Sequence, residues 1–148
     1  MTLKNTEENA IIELVNRQSS GELSDKIEFV SDCGFYLKNG CFYITYKEHS
    51  DMGMDNSRVI IKLDGDIVTM RRMGEYRTVM VYKTGEVTDF NYHTPFGQLN
   101  IKIRTQRIES RFCESGGTLE LEYLLFTGGE VTKNEIKIKV KAHGEPEV

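Results

Sequence analysis

The residues best suited to bind or react with a ligand are two arginines, Arg72 and Arg77, which flank the dipeptide Gly74-Glu75. Glycine followed by a polar residue is typical of a tight type II′ turn between antiparallel strands. A two-residue turn here predicts that Arg72 lies directly opposite Arg77 on an apolar face. Like charges that face each other destabilise a sheet, and unpaired ions are costly to bury. The arginines therefore need an inward carboxylate, an anionic ligand, or exposure at the mouth of a barrel.

Glu48 is the candidate carboxylate, because alternation places it on the same inward face as Tyr46. Two interpretations remain open. The arginines could anchor the acid group of a ligand in an otherwise apolar cavity. Alternatively, Arg72 and Glu48 form a structural ion pair or a solvated rim. Hydroxyl-bearing side chains on inward faces complete the predicted ligand site or simply belong to the core: Tyr46, Tyr92, Thr94 and Tyr123.

No catalytic or metal-binding motif is visible. The sequence lacks G-x-S-x-G, H-E-x-x-H, the phosphate-binding P-loop and the dinucleotide fingerprint. The segment "KEHSDMGMDN" at 47–56 carries oxygen donors and one histidine, a mixture more typical of a polar loop than of a metal site. His93 shares its outward face with Asp89 and Asn91 and is interpreted as a surface residue. We therefore predict no catalytic residue, no metal and no cofactor, and an enzyme is the least favoured class.

Short alternating segments separated by glycines predict an all-β domain. Asn39-Gly40 and Asp64-Gly65 are dipeptides favoured by type I′ hairpins. An antiparallel meander of about 8–10 strands removes its edges by forming a lipocalin-like (calycin) barrel or a half-open barrel. The predicted strands are 9–18, 26–38, 41–49, 57–64, 67–73, 77–83, 86–94, 98–109, 118–126 and 133–141.

The tight turns also predict register. A turn at Asn39-Gly40 places Phe35 opposite Ile44, and one at Asp64-Gly65 places Ile61 opposite Val68. A turn at Thr84-Gly85 places Arg77 opposite Tyr92. In this register the following side chains of the seventh strand face inward: Thr88, Phe90, Tyr92 and Thr94.

Composition limits the functional class. The 148 residues suit one domain, with short flexible ends at about 1–8 and 142–148. A net charge of −4 disfavours nucleic acid, which prefers a basic surface. Three cysteines of unremarkable spacing suggest free thiols in a reducing compartment. With neither a signal peptide nor a long apolar segment in the sequence, we expect a cytoplasmic protein without a membrane span.

Four short motifs resemble a known group of proteins: "YITYKE" at 43–48, "RMG" at 72–74, "YHTPFG" at 92–97 and "LELEYLL" at 119–125. Over about residues 34–141 the chain resembles the YwiB-like family of uncharacterised bacterial proteins. That resemblance implies a calycin-type barrel, as in lipocalins and fatty-acid-binding proteins, and no assigned activity. The chain lacks a signal peptide and tryptophan, which argues against extracellular transport. The family-like positions are Tyr46, Glu48, Arg72, Gly74, Tyr92, Thr94 and Gly97.

Two functions follow as expectations. The favoured one is a non-enzymatic cytoplasmic barrel that binds a small amphipathic or anionic ligand, with the acid group near Arg72 and Arg77. The alternative is an interaction or accessory module that acts through its outer surface, has a packed core, and could form a homo-oligomer.

Overall fold

Ten β-strands make up the fold in the computed structural model, which describes residues 8–48, 57–74 and 77–143. The all-β prediction is confirmed, and all ten predicted strands are present with ends that differ by a few residues. The strands are β1 (Ala10–Ser20), β2 (Leu23–Lys38), β3 (Cys41–Lys47), β4 (Arg58–Asp64), β5 (Ile67–Met73), β6 (Thr78–Lys83), β7 (Val87–Thr94), β8 (Gly97–Cys113), β9 (Gly116–Thr127) and β10 (Glu130–Ala142).

The strands form one antiparallel sheet that curls into a nearly closed barrel. Their order is β6-β5-β4-β3-β2-β1-β10-β9-β8-β7, so the first and last strands of the chain lie side by side. Between β6 and β7 the described residues form only an isolated bridge, in which Arg77 and His93 exchange two backbone hydrogen bonds of 3.1 Å. Farther along, the Thr88 hydroxyl donates to the Val81 carbonyl at 2.6 Å. We call this line of closure the β6–β7 seam.

The two ends of the barrel differ in their packing. Because successive turns of a meander alternate between ends, the β2–β3 and β8–β9 turns share one end, called the base, and the β1–β2, β7–β8 and β9–β10 turns share the other, called the mouth. Three phenylalanines fill the base. The ring centroid of Phe35 lies 5.4 Å from that of Phe42 and 5.9 Å from that of Phe112. The base is therefore packed with aromatic side chains.

The Asn39-Gly40 turn forms as predicted, with φ values of 53° and 82°, and Phe35 lies opposite Ile44. The prediction for the next hairpin is wrong in register. Its turn residues are Gly65-Asp66, and Ile61 lies opposite Met70 instead of Val68. This displacement moves the partner by two residues, so every side chain keeps the predicted face.

The predicted register between β5 and β6 is also wrong, and this error changes the interior. Arg72 lies opposite Thr78, so the connection holds one residue more than a two-residue turn. An odd displacement turns every side chain of β6 to the other face. Arg77 is consequently exposed on the outside, and its bridge partner is His93, not Tyr92. Arg72 and Arg77 do not face each other.

The predicted flexible ends lie mostly outside the described residues. The described part of the C-terminal end belongs to the sheet, since β10 includes Ala142 and the His143 amide donates to the Asn9 carbonyl at 2.8 Å. The side-chain amide of Asn9 extends this pairing. It donates to the Phe35 carbonyl and accepts from the Phe35 amide, each at 2.8 Å.

Candidate functional site

A cavity of about 300 Å³ occupies the barrel interior on the mouth side of the phenylalanine base. Side chains from most of the strands contribute to its wall, because inward positions alternate along each strand. Its apolar surface includes Leu14, Phe29, Met70, Met80, Ile101 and Ile136.

An ion pair between Arg72 and Glu48 is the charged feature of this wall. Arg72 Nε donates to Glu48 Oε1 at 2.8 Å, and Arg72 Nη2 donates to Oε2 at 3.0 Å. The Arg72 and Glu48 side chains are only 19% and 10% exposed. This two-pronged geometry is the strongest form of arginine–carboxylate contact. Each charge therefore has its compensating partner within the protein.

Backbone contacts around Ser57 hold the ion pair in place. The Glu48 amide donates to the Ser57 carbonyl at 2.7 Å, which fixes the chain directly after β3. Ser57 is fully buried, and a Cβ at Gly74 would lie 3.1 Å from its hydroxyl. Gly74 also has a φ of 142°, which non-glycine residues rarely adopt. A glycine is needed here so that the end of β5 can pass close to the start of β4.

Three tyrosines, here called the tyrosine cluster, lie beside the ion pair: Tyr46, Tyr82 and Tyr123. Each is at most 5% exposed. The Tyr82 and Tyr123 rings are 4.8 Å apart, and Tyr46 contacts Phe29 at 5.5 Å. Burial is the main cause that raises the pKa of all three phenols. They are neutral hydroxyls at physiological pH.

Several polar residues of the wall were not predicted from the sequence. Tyr82 was missed because the erroneous β5–β6 register placed it outward. Sequence reasoning also missed three polar residues that continue inward-facing rows of apolar side chains: Asn16, Gln18 and Asn134. Strict alternation from Ile12 and Leu14 already places Asn16 inward. Two polar atoms of the wall lack a hydrogen-bond partner among the described residues: Asn16 Oδ1 and Thr78 Oγ1.

Comparison with known proteins places this barrel in a family. Residues 12–139 match a domain of unknown function, DUF1934. The chain belongs to the DUF1934 family. It is 30% identical over 104 residues to the uncharacterised β-barrel protein YwiB of Bacillus subtilis (strain 168), an alignment that covers 70% of this chain and 72% of YwiB. The predicted resemblance to YwiB-like proteins is thus confirmed.

A solved structure supports the fold. The crystal structure of the ywiB protein from Bacillus subtilis superposes with a TM-score of 0.83 over 96% of this chain and 99% of that chain, at 21% sequence identity. This DUF1934 chain therefore has the same β-barrel architecture as YwiB.

The structure brings together five of the seven predicted site residues and separates two. Thr94 is not part of the cavity wall. Its hydroxyl donates to the Gly97 carbonyl at 3.0 Å and accepts from the Phe96 amide at 3.1 Å, so it stabilises the β7–β8 turn of the "YHTPFG" motif. Arg77 lies on the outer face, as described above. The five residues that line one cavity are Tyr46, Glu48, Arg72, Tyr92 and Tyr123.

Among residues 8–48, 57–74 and 77–143, no group of three or more His, Cys, Asp or Glu side chains could hold a metal ion. His49, Asp51 and Asp55 of the 47–56 segment lie outside the described residues. The part of the chain that the structure describes contains no helix suited to crossing a membrane.

Proposed function

We propose that this DUF1934 protein is a cytoplasmic, non-enzymatic binding protein that holds one small amphipathic molecule inside its barrel. The cavity carries this proposal. Its volume of about 300 Å³ matches the lower end of the range for small-molecule sites. Lipocalin-type barrels hold one ligand in a comparable place. The expected alternative of a fully packed interior agrees less well with such a space.

The cost of an empty cavity supports the same conclusion. A closed, dry void of this kind would destabilise a protein in proportion to its volume, whereas this cavity is partly open and has polar wall residues, so it can admit water. A barrel with a purely structural role would gain stability from larger core side chains. Retaining the space is reasonable if water or a ligand occupies it.

The distribution of polarity favours an amphipathic ligand. Apolar side chains such as Met70 and Met80 line the deeper part of the cavity, one inward position closer to the base than Arg72 and Thr78. The ion pair lies toward the mouth. An apolar tail would pack on the methionines, and a polar head group would meet the ion pair and the neighbouring hydroxyl groups.

Native mass spectrometry of the gently purified protein tests this function. Met80→Trp fills the cavity, whereas Val79→Trp adds the same side chain on the outer face of the same strand. We expect an additional discrete mass on the wild type and on Val79→Trp, and its loss from Met80→Trp. Bare wild-type protein that also fails to bind added amphiphiles would contradict the proposal.

A second candidate is an interaction module, favoured by apolar side chains exposed near the mouth. Leu23 is 78% exposed, Phe96 92% and Leu99 51%. Such a surface is typical of contacts with another protein or a second copy of the chain. The same spectra distinguish this function, because it predicts a discrete oligomer or a bound protein and no small-molecule mass.

A further inference from the structure

The ionised side chains in the described part of the cavity wall sum to zero charge. Among the described residues that line the cavity, Arg72 and Glu48 are the only acidic or basic side chains. They bind each other through two hydrogen bonds of 2.8 and 3.0 Å. The wall that these residues form is therefore neutral, although it is polar near the mouth.

An anionic ligand would fit this wall poorly. To bind Arg72 it would have to displace Glu48, which is 8% exposed and would become an unpaired buried carboxylate. If Glu48 stayed in place, the ligand would add a second negative charge beside it, and like charges resist sharing a site. A cationic ligand meets the equivalent problem with Arg72. Both signs of charge are disfavoured by the same pair.

We propose that the ligand of this cavity is an uncharged amphiphile whose head group both donates and accepts hydrogen bonds, such as a primary amide or an alcohol. This inference rests on the proposed function and specifies the class of molecule that is bound.

The hydrogen-bonding groups beside the ion pair match such a head group. Guanidinium carries five N–H donors and a carboxylate about four acceptor positions, so two mutual bonds leave capacity on both partners. Thr78, the direct sheet neighbour of Arg72, has a buried hydroxyl oxygen without a partner among the described residues. Asn16 Oδ1, on β1, is likewise buried without a partner among the described residues. Both oxygens are closed off from the open space of the cavity, so the head group would use the hydrogen-bonding capacity that remains on the ion pair.

Probes that differ only in the head group test the proposal. The cavity volume corresponds to about ten molecules of liquid water, so chains of eight carbons are of suitable size. Octanamide, octan-1-ol and octanoate would each be titrated into ¹⁵N-labelled protein at pH 8, where octanoate is ionised. We expect octanamide and octanol to shift the amide signals of cavity strands, and octanoate to bind about 100-fold more weakly or worse.

The outcomes separate the two proposals. Octanoate binding as tightly as octanamide would overturn the neutral-ligand inference and leave the binding function intact. Failure of all three probes, together with bare protein in native spectra, would count against the binding function itself.

A matched pair of variants tests whether the Arg72–Glu48 ion pair causes the preference for an uncharged head group. Glu48→Gln removes the negative charge and leaves Arg72 without its counter-ion, so the preference for octanamide over octanoate should fall by at least tenfold. Glu122→Gln removes a carboxylate from the outer face, where Glu122 binds Arg107 at 3.0 Å, and should leave the preference unchanged. An equal preference in Glu48→Gln and wild type would overturn the electrostatic reasoning. If Glu48→Gln does not fold, the wild-type probe series still decides.

Discussion

Removal of Glu48 should destabilise the barrel strongly. The substitution Glu48→Ala leaves Arg72 buried among cavity residues without its two-pronged partner. Loss of one member of a buried ion pair typically costs about 3–5 kcal/mol. The Arg72 side chain keeps 19% exposure, and an adjacent cavity can admit water, so the lower value applies. We expect a loss of about 3 kcal/mol, which for a chain of this size lowers Tm by roughly 6–12 °C.

Urea unfolding followed by circular dichroism measures this change in the free energy of unfolding. Glu122→Ala is the control, because that carboxylate joins a partly exposed pair on the outer face. Such pairs contribute at most about 1 kcal/mol. The double variant Arg72→Leu/Glu48→Leu should recover most of the stability, since a well-packed apolar pair often replaces a buried ion pair without loss. A loss in Glu48→Ala no larger than that of the control would refute the reasoning.

Three further predictions concern groups around the cavity. Burial raises the pKa values of the tyrosine cluster. The contribution of these neutral phenols to the free energy of unfolding should therefore be fully present below pH 10 and decline above it. Absorbance at 295 nm should show these phenols ionising only as the barrel unfolds. Burial also raises the pKa of Cys33 to about 12, so iodoacetamide at pH 8 should modify the exposed Cys113 first, and mass mapping that finds equal labelling would contradict this. Amide protons of the β6–β7 seam should exchange with solvent faster than those of the continuous β9–β10 ladder. Thr88→Val should accelerate exchange at the seam further, because it removes the hydrogen bond to Val81. Equal protection of the seam and the β9–β10 ladder would contradict this prediction.

Local patterns made the ten strands predictable. Alternation and turn dipeptides act within a few residues, and most of the sheet consists of neighbours along the chain. The sequence predicts a barrel or a half-open barrel without deciding between them, and the pairing of β1 with β10 is seen only in the structure. The cavity volume was not predictable, because it depends on strand tilt and on the summed volumes of side chains from distant strands.

The error at Gly74 has a specific physical cause. Glycine followed by a polar residue predicts a two-residue turn. In the structure Gly74 has a φ of 142° and lies close to Ser57, and the connection to β6 is one residue longer. A glycine in a single sequence therefore marks a turn without fixing its length. The inward positions of Thr78 and Tyr82 depend on that length.

That one-residue difference also decides the charge of the interior. In the predicted register, two arginines and one glutamate face inward, which leaves one positive charge and favours an anionic ligand. In the observed register Arg77 lies outside, Thr78 takes the inward position, and the remaining arginine is neutralised by Glu48. Because an odd change in connection length exchanges the two faces of a strand, one residue in the connection next to Arg72 can determine ligand charge. Deletion of one residue from the β5–β6 connection would consequently either unfold the barrel or return Arg77 to the cavity, and in the folded case it should increase octanoate binding.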